Sequence, residues 1–217
     1  MDKINIYCIS GLGADERIFR KLTIPNVKLV HLPWLPFDEH DDLSCYAQKM
    51  SSQLPEKNPI ILGLSFGGML ATEIALQQKI KHAFLVSSAK GKQELPEMSR
   101  ILSYMINHKL VPFKLFSSPN QILYSRFGAV SEDDKHLLND IMMDTDTHFL
   151  GWAFRAIINW RNTTIPSNIT HIHGTADRIL PPESITANFW LNEGSHMMVY
   201  NRATEVSALI AQTLAQL

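Results

Sequence analysis

Short apolar segments alternate along the chain with segments that repeat their apolar residues at helical spacing. The apolar segments have the length and aliphatic character of buried strands, and they cover residues 3–9, 27–32, 59–64, 82–88, 168–173 and 186–191. The segment after the third apolar run places Leu70, Ala71, Ile74 and Ala75 on one helix face. The segment after the last run places Val206, Leu209, Ile210 and Leu214 on one helix face. Such alternation is typical of sheets covered on both faces, so we expect an α/β fold with a mostly parallel six-stranded sheet.

The size and charge of the chain set broad limits on its class. Its 217 residues fit one domain, or one domain with a lid, and its net charge of −1 argues against a general nucleic-acid-binding protein. No apolar stretch reaches the roughly 18 residues of a membrane span, and the N-terminus reads as a strand and not as a signal peptide. We therefore expect a cytoplasmic protein. Cys8 and Cys45 lack metal-binding spacing, and we expect both to be buried free thiols.

The stretch from 91 to 166 interrupts the alternation of strands and helices. It is mostly helical in pattern, rich in methionine and aromatic residues, and too long for a simple crossover. We interpret it as a helical lid inserted between strands 4 and 5, above a core formed by 1–90 and 167–217. The alternative is a set of extra helices packed on the flank of the sheet.

A serine stands between glycines where the third strand ends. The segment G-L-S-F-G covers residues 63–67 and precedes an amphipathic helix. A serine in such a tight strand-to-helix turn adopts strained backbone angles that expose its hydroxyl above the sheet, and side chains at positions 63 and 67 would collide with neighbouring elements. Ser65 is therefore a candidate nucleophile. The alternative is that Ser65 is only the N-cap of the helix.

A nucleophilic serine needs a base and a group that orients the base. His196 follows the sixth strand and Asp177 follows the fifth, so both lie on loops at the carboxyl ends of strands. Parallel strands bring such loops to one edge of the sheet. Ser65, Asp177 and His196 can therefore converge, in the chain order serine, acid, histidine.

Hydrolysis at a carbonyl also requires hydrogen-bond donors for the oxyanion that develops. One candidate is the backbone N–H of Phe66, at the start of the helix that follows the serine. The loop S-G-L-G-A-D at residues 10–15 follows the first strand, and its glycines allow a sharp turn. The backbone N–H of Leu12 in this loop is the second candidate.

Together these motifs resemble the α/β-hydrolase fold superfamily in its small, lidded, single-domain form. The resemblance covers residues 3–90 and 168–217 and rests on G-L-S-F-G-G at 63–68, S-G-L-G-A-D at 10–15, H-G-T-A-D at 173–177 and G-S-H-M-M at 194–198. It implies the strand order 2-1-3-4-5-6. Two features depart from the family: Ser10 replaces a frequent histidine, and the usual N-terminal antiparallel strands are missing.

The resemblance also implies a role for each candidate residue. Ser65 is the nucleophile, His196 the base and Asp177 the acid, and the backbone amides of Leu12 and Phe66 form the oxyanion hole. No cofactor and no metal are implied. A serine at position 65 separates the chain from family members with an aspartate nucleophile, such as dehalogenases and epoxide hydrolases.

Other interpretations of the same residues remain open. Residues 11–16 could form a dinucleotide-binding loop, although Glu16 stands where a third glycine is needed, and His171, His173 and Asp177 could bind a metal. The orienting acid could instead be Asp144, Asp146 or Glu94. Aromatic residues of the insertion are better explained as its own core than as the lining of an acyl pocket; they are Phe113, Phe116, Phe149, Trp152 and Phe154.

We therefore expect a serine hydrolase that acts on a small or medium acyl ester or thioester through an acyl-enzyme. The same three residues could serve acyl transfer or the cleavage of a carbon–carbon bond, because these reactions differ in lid contacts and water access. A third alternative is a non-catalytic protein that binds a ligand in the same pocket.

Overall fold

The computed structural model describes residues 3–55, 57–97, 100–107, 109 and 120–217, with residues 100–103 described by their backbone. Its strands are β1 Ile4–Ile9, β2 Val27–His31, β3 Ile60–Leu64, β4 His82–Val86, β5 Ile169–Gly174 and β6 Phe189–Leu191. Its α-helices are α1 Leu43–Ser51, α2 Phe66–Gln77, α3 Arg100–Asn107, α4 Gln121–Phe127, α5 Glu132–Asp144, α6 Thr147–Ile158, α7 Met198–Asn201 and α8 Ala203–Leu214. Each predicted strand is confirmed within a few residues.

The strands form one six-stranded sheet in the order β2-β1-β3-β4-β5-β6. All neighbouring strands pair in parallel, with Ile9 opposite Gly63, Leu64 opposite Val86 and Gly174 opposite Leu191. The predicted order is confirmed, and the sheet is parallel throughout. The carboxyl ends of all the strands therefore lie along one edge, which is where a parallel α/β sheet presents its loops.

Alternate side chains of the strands point to opposite faces of the sheet, and each face carries its own core. One core contains Ile6, Cys8, Leu62, Phe84 and Ile172 and is covered by α8 through Val206 and Ile210. The other contains Tyr7, Ile9, Ile61, Leu85 and Ile169 and is covered by α1 and α2. The expected helices on both faces are confirmed.

The insertion between β4 and β5 contributes to both of these cores. Leu137, Leu138 and Ile141 of α5 are buried in the first core, whereas Phe149 and Trp152 of α6 are buried in the second. The insertion is helical, as predicted, with α3, α4, α5 and α6 in its described part. Phe113 and Phe116 lie outside the described residues.

The corner between α5 and α6 contacts the loop that follows β1. The Thr145 hydroxyl lies 3.1 Å from the Gly13 carbonyl oxygen, and Arg17 binds both Asp15 and Asp144, at 2.6 and 2.7 Å. This corner of the insertion therefore lies at the carboxyl edge of the sheet.

Two expectations about exposure have different outcomes. Cys8 and Cys45 are both free, and Cys8 is buried, but Cys45 is exposed on α1, so its expected burial is wrong. It is on a helix end capped by Asp42, whose carboxylate accepts a hydrogen bond from the Cys45 amide. Within the described ranges, no helix combines the length and apolar character that a membrane span requires.

Candidate active site

Ser65 occupies a strained turn between β3 and α2. Its φ of 51° and ψ of −117° lie in a region that non-glycine residues rarely adopt. Two hydrogen bonds with the end of β4 and the residues after it hold this turn: the Ser65 N–H donates to the Val86 carbonyl at 3.0 Å, and the Ser88 hydroxyl donates to the Ser65 carbonyl at 2.6 Å. The Ser65 side chain makes no capping bond to the helix, so the N-cap interpretation is wrong.

Glycines at positions 63 and 67 are required by the space around this turn. A Cβ atom on Gly63 would lie 2.4 Å from the Gly67 carbonyl oxygen, and one on Gly67 would lie 2.2 Å from the Ile9 carbonyl oxygen. Real Cβ atoms do not approach backbone oxygens so closely. The first turn of α2 therefore packs directly on the end of β1, and this contact brings the loop after β1 next to Ser65.

His196 lies on the loop between β6 and α7, and its ring connects two other side chains. Its Nε2 atom is 2.9 Å from the Ser65 hydroxyl oxygen, and its Nδ1 atom is 2.8 Å from an Asp177 carboxylate oxygen. The His196 side chain is almost fully buried, and the ring of Phe127 in α4 packs edge-on against it, with 5.6 Å between the ring centroids. The structure thus brings the three predicted residues into one hydrogen-bonded row.

Asp177 is fixed on both of its oxygens. One oxygen accepts hydrogen bonds from the backbone amides of Ile179 and Leu180, each at 2.9 Å, and the other faces His196. Burial opposes ionisation of this carboxyl, but the nearby His196 and the bonds from His196 and Leu180 outweigh it, so the pKa of Asp177 is lowered. An ionised Asp177 accepts from Nδ1–H of His196, which leaves Nε2 free to accept the Ser65 proton.

Comparison with solved structures identifies the architecture around this row. The chain superimposes on an esterase from Exiguobacterium antarcticum with a TM-score of 0.71 over 99% of this chain and 92% of that chain, at 14% identity. For a thermophilic esterase from Thermogutta terrifontis these values are 0.69, 99%, 90% and 12%. For a thioesterase of the prodiginine biosynthetic pathway in Streptomyces coelicolor they are 0.66, 97%, 85% and 16%. The chain has the α/β-hydrolase fold.

The comparisons that use the sequence give a different result from those that use the structure. No protein-family model matches the sequence, and no curated protein matches it either. At identities of 12 to 16%, structural similarity shows a shared fold, and one fold can carry many different reactions. The chemistry therefore depends on the residues at the carboxyl edge of the sheet.

In this α/β-hydrolase fold, the two predicted oxyanion donors belong to segments that adjoin Ser65. Phe66 is the first residue of α2, where backbone N–H groups have no partner inside the helix. Leu12 belongs to the loop after β1, and a Cβ atom on Gly11 would lie 3.5 Å from the Ser65 Cβ. Among the described residues, the N–H groups of Leu12 and Phe66 donate no hydrogen bond to the protein.

The histidines of β5 form a hydrogen-bonded pair behind Asp177. His173 donates from Nε2 to the Leu180 carbonyl at 2.9 Å, and its Nδ1 lies 3.3 Å from Nε2 of His171. Burial lowers the pKa of both rings, that of His171 to about 3. In the part of the chain that the structure describes, no group of three His, Cys, Asp or Glu side chains has an arrangement that could hold a metal ion. The pair instead supports the loop from Asp177 to Leu180.

The alternative acids are bonded elsewhere. Asp144 binds Arg17 at 2.7 Å, and Asp146 accepts from the His148 amide at 2.8 Å as the N-cap of α6. The two carboxylate oxygens of Glu94 accept from the backbone amides of Lys90 and Thr186, at 2.8 and 3.1 Å. Asp177 is therefore the carboxylate that contacts His196.

Proposed function

We propose that this chain is a serine hydrolase that cleaves a carboxylic ester or thioester through an acyl-enzyme. The observation that carries the proposal is the row of two hydrogen bonds, at 2.9 and 2.8 Å, that joins the Ser65 hydroxyl to His196 and His196 to Asp177. A nucleophile, a base and an orienting acid in this geometry are what acyl transfer to serine requires. The esterase and thioesterase structures with the same fold add support by analogy.

In the first step, Ser65 attacks the carbonyl carbon of the substrate. His196 Nε2 takes the hydroxyl proton as the new carbon–oxygen bond forms, and the π electrons of the carbonyl move to its oxygen. The backbone N–H groups of Leu12 and Phe66 donate to this oxyanion. The ionised Asp177 stabilises the imidazolium that results, and it keeps the ring in the correct orientation.

In the second step, the tetrahedral intermediate collapses and the acyl group remains on Ser65. The bond to the alcohol or thiol breaks, and this leaving group takes the proton from His196. Water then attacks the acyl-enzyme with His196 again as base, and the acid product leaves. Every proton in this cycle passes through His196 Nε2.

The side chains around Ser65 and His196 favour an apolar acyl group. The Phe127 ring packs against His196, and the Leu12 side chain packs on the buried cluster that contains Phe66 and Phe149. These apolar contacts suit an acyl chain more than a charged group. We propose that the helices of the insertion, whose α5–α6 corner contacts the loop after β1, form a lid over this pocket.

The decisive experiment combines active-site labelling with ester hydrolysis. A fluorophosphonate probe should label the native protein at Ser65, and Ser65→Ala should abolish labelling and lower turnover by about 10⁶-fold. Ser51→Ala is the matched control, because its hydroxyl only bonds the Gln48 carbonyl within α1. A panel of p-nitrophenyl esters and acyl thioesters of increasing chain length would identify the preferred acyl group.

The outcomes separate hydrolysis from the alternatives. A folded native protein that neither labels nor hydrolyses any of these substrates would support a ligand-binding role. Transfer of the acyl group to an added alcohol in preference to water would indicate acyl transfer, and turnover of a β-diketone but of no ester would indicate carbon–carbon cleavage. Wild-type activity in Ser65→Ala would refute the proposal itself.

A further inference from the structure

The loop after β1 forms a tight turn with Leu12 at its second position. The Ala14 amide donates to the Gly11 carbonyl at 2.9 Å, and Gly13 has a φ of +74°. A positive φ at the third residue of such a turn favours glycine, as in a type II turn. The direction of the Leu12 N–H therefore depends on the orientation in which this whole turn is held.

The carbonyl oxygen of Ala14, at the end of this turn, accepts two side-chain hydrogen bonds. The Ser10 hydroxyl donates to it at 2.6 Å and the Trp34 indole Nε1–H donates to it at 2.8 Å. Ser10 is fully buried, and Trp34 comes from the loop after β2. The two donors use the two lone pairs of one carbonyl, so they fix its direction from two sides.

Trp34 also contacts the helix that carries the other oxyanion donor. Its ring lies 5.8 Å from that of Phe66 and 5.1 Å from that of Phe149, measured between centroids. Through its N–H it holds the turn that contains Leu12, and through its ring it packs on the side chain of Phe66. One side chain thus contacts both segments that carry the candidate oxyanion donors.

We propose that Ser10 and Trp34 are positioning residues for the oxyanion hole, acting together on the Ala14 carbonyl. They hold the Leu12 N–H in register with the Phe66 N–H, so that both amides meet the same oxyanion. This inference rests on the proposed function, because a register between the two donors affects the rate only if an oxyanion forms there. Position 10 is a serine here, where the family frequently has a histidine. Ser10 and Trp34 together then support the loop in place of that histidine.

The expected size of the effect follows from the cost of an oxyanion donor. Loss of one such donor lowers kcat by about 10²- to 10³-fold in serine proteases. A donor that is misaligned but not removed should cost less, so we expect about a 10- to 100-fold loss for either single variant.

Trp34→Phe is the main test, and Trp152→Phe is its matched control. Both tryptophans lie in the same aromatic cluster, and each donates its indole N–H to a main-chain carbonyl, Trp152 to Asp41 at 3.0 Å. Both variants lose one such bond and part of a ring, so both lose stability. Only Trp34→Phe is expected to lower kcat, with KM for a p-nitrophenyl ester unchanged.

A second measurement reports the oxyanion directly. The Ser65 hydroxyl should add to the carbonyl of a trifluoromethyl ketone and form a tetrahedral oxyanion. This ketone should bind Trp34→Phe and Ser10→Ala more weakly than it binds the native protein, by the same factor as kcat falls. Ser10→Ala combined with Trp34→Phe should lose less than the product of the single losses, because both act on one carbonyl. Assays are run well below each variant's measured unfolding temperature.

Three results would overturn the inference while leaving the proposed function intact. They are equal kcat for Trp34→Phe and Trp152→Phe, a change confined to KM, and wild-type affinity of Ser10→Ala for the trifluoromethyl ketone. If Trp34→Phe does not fold, Ser10→Ala alone decides by the same two measurements. Failure of the proposed function would be seen separately, as unchanged activity in Ser65→Ala.

Discussion

The loops at the carboxyl edge of the sheet and the helices inserted between β4 and β5 obey different constraints. At the edge, the structure has no room for an added atom at some positions. Ser65 has a strained backbone, and a Cβ atom on Gly67 would lie 2.2 Å from the Ile9 carbonyl oxygen. In the insertion, α5 and α6 mainly contribute apolar side chains to the two cores. We therefore expect changes at the edge to alter the rate of reaction, and changes to the buried side chains of α5 and α6 to alter the stability of the fold.

Among the variants that compare the edge with the insertion, Asp177→Asn should have the largest effect. The amide keeps the size of the side chain but favours the wrong tautomer of His196, so the rate should fall by about 10⁴-fold. Asp144→Asn is the control from the insertion: Asp144 is an exposed carboxylate bound to Arg17, and its loss should change kcat little. Comparable losses in kcat for the two variants would break the distinction between edge and insertion.

Leu138→Ala should give the opposite pattern. Leu138 of α5 is 4% exposed and packs in the first core, so its truncation should lower the free energy of unfolding by about 2–5 kcal/mol and leave kcat within a few-fold. Met143→Ala, on the same helix but 72% exposed, should cost less than about 0.5 kcal/mol. Urea titrations and steady-state kinetics measure both quantities. A large fall in kcat for folded Leu138→Ala would show that α5 shapes the site directly.

Gly67→Ala should affect stability and rate together. The added methyl group would push α2 away from the Ile9 and Ser10 carbonyls, which lie 2.2 and 2.4 Å from its position. Since Ser65 directly precedes α2, a displacement of the helix by about 1 Å should cost about 10²-fold in kcat. Kinetics below the unfolding temperature test this, and near-wild-type turnover would mean that the edge tolerates movement that its geometry disfavours.

The smallest effect concerns the response of stability to acid. Burial lowers the folded-state pKa of His171 from 6.5 to about 3, so its contribution to stability is fully present above pH 6.5 and is lost as pH falls below that value. Each pH unit between about 6 and 4.5 should cost about 1.4 kcal/mol for this ring. His171→Gln should reduce the slope of unfolding free energy against pH by that amount. An unchanged slope would mean that His171 is not held neutral.

Local patterns in the sequence were sufficient to place the elements and the candidate residues. Aliphatic runs located the strands, and the glycines around Ser65 marked a turn that few other residues can form. The positions of Asp177 and His196 just after their strands implied a common edge, and the structure brings the three side chains into hydrogen-bond distance. Each of these inferences uses backbone constraints that act within a few residues.

Other features depend on pairs of residues that are distant in the chain. Trp34 meets Ala14, and His171 and His173 support the Asp177 loop, yet no spacing in the sequence distinguishes these residues from ordinary core residues. The division of the insertion between the two cores was also not predicted, because both α5 and α6 show a plain apolar stripe. An apolar stripe indicates that one face of a helix is buried, but it does not indicate which part of the protein covers that face.

The amino-acid sequence by itself determined the α/β class, the strand order through its family resemblance, and the candidate row of Ser65, His196 and Asp177. Only the tertiary structure decided which contacts surround these residues: the Ser88 hydroxyl on the Ser65 carbonyl, the histidine pair of β5 behind Asp177, and the Ser10 and Trp34 donors on the Ala14 carbonyl. The physical reason is that strands and tight turns follow from local backbone preferences. A hydrogen bond between distant segments exists only once packing has brought its donor and acceptor together.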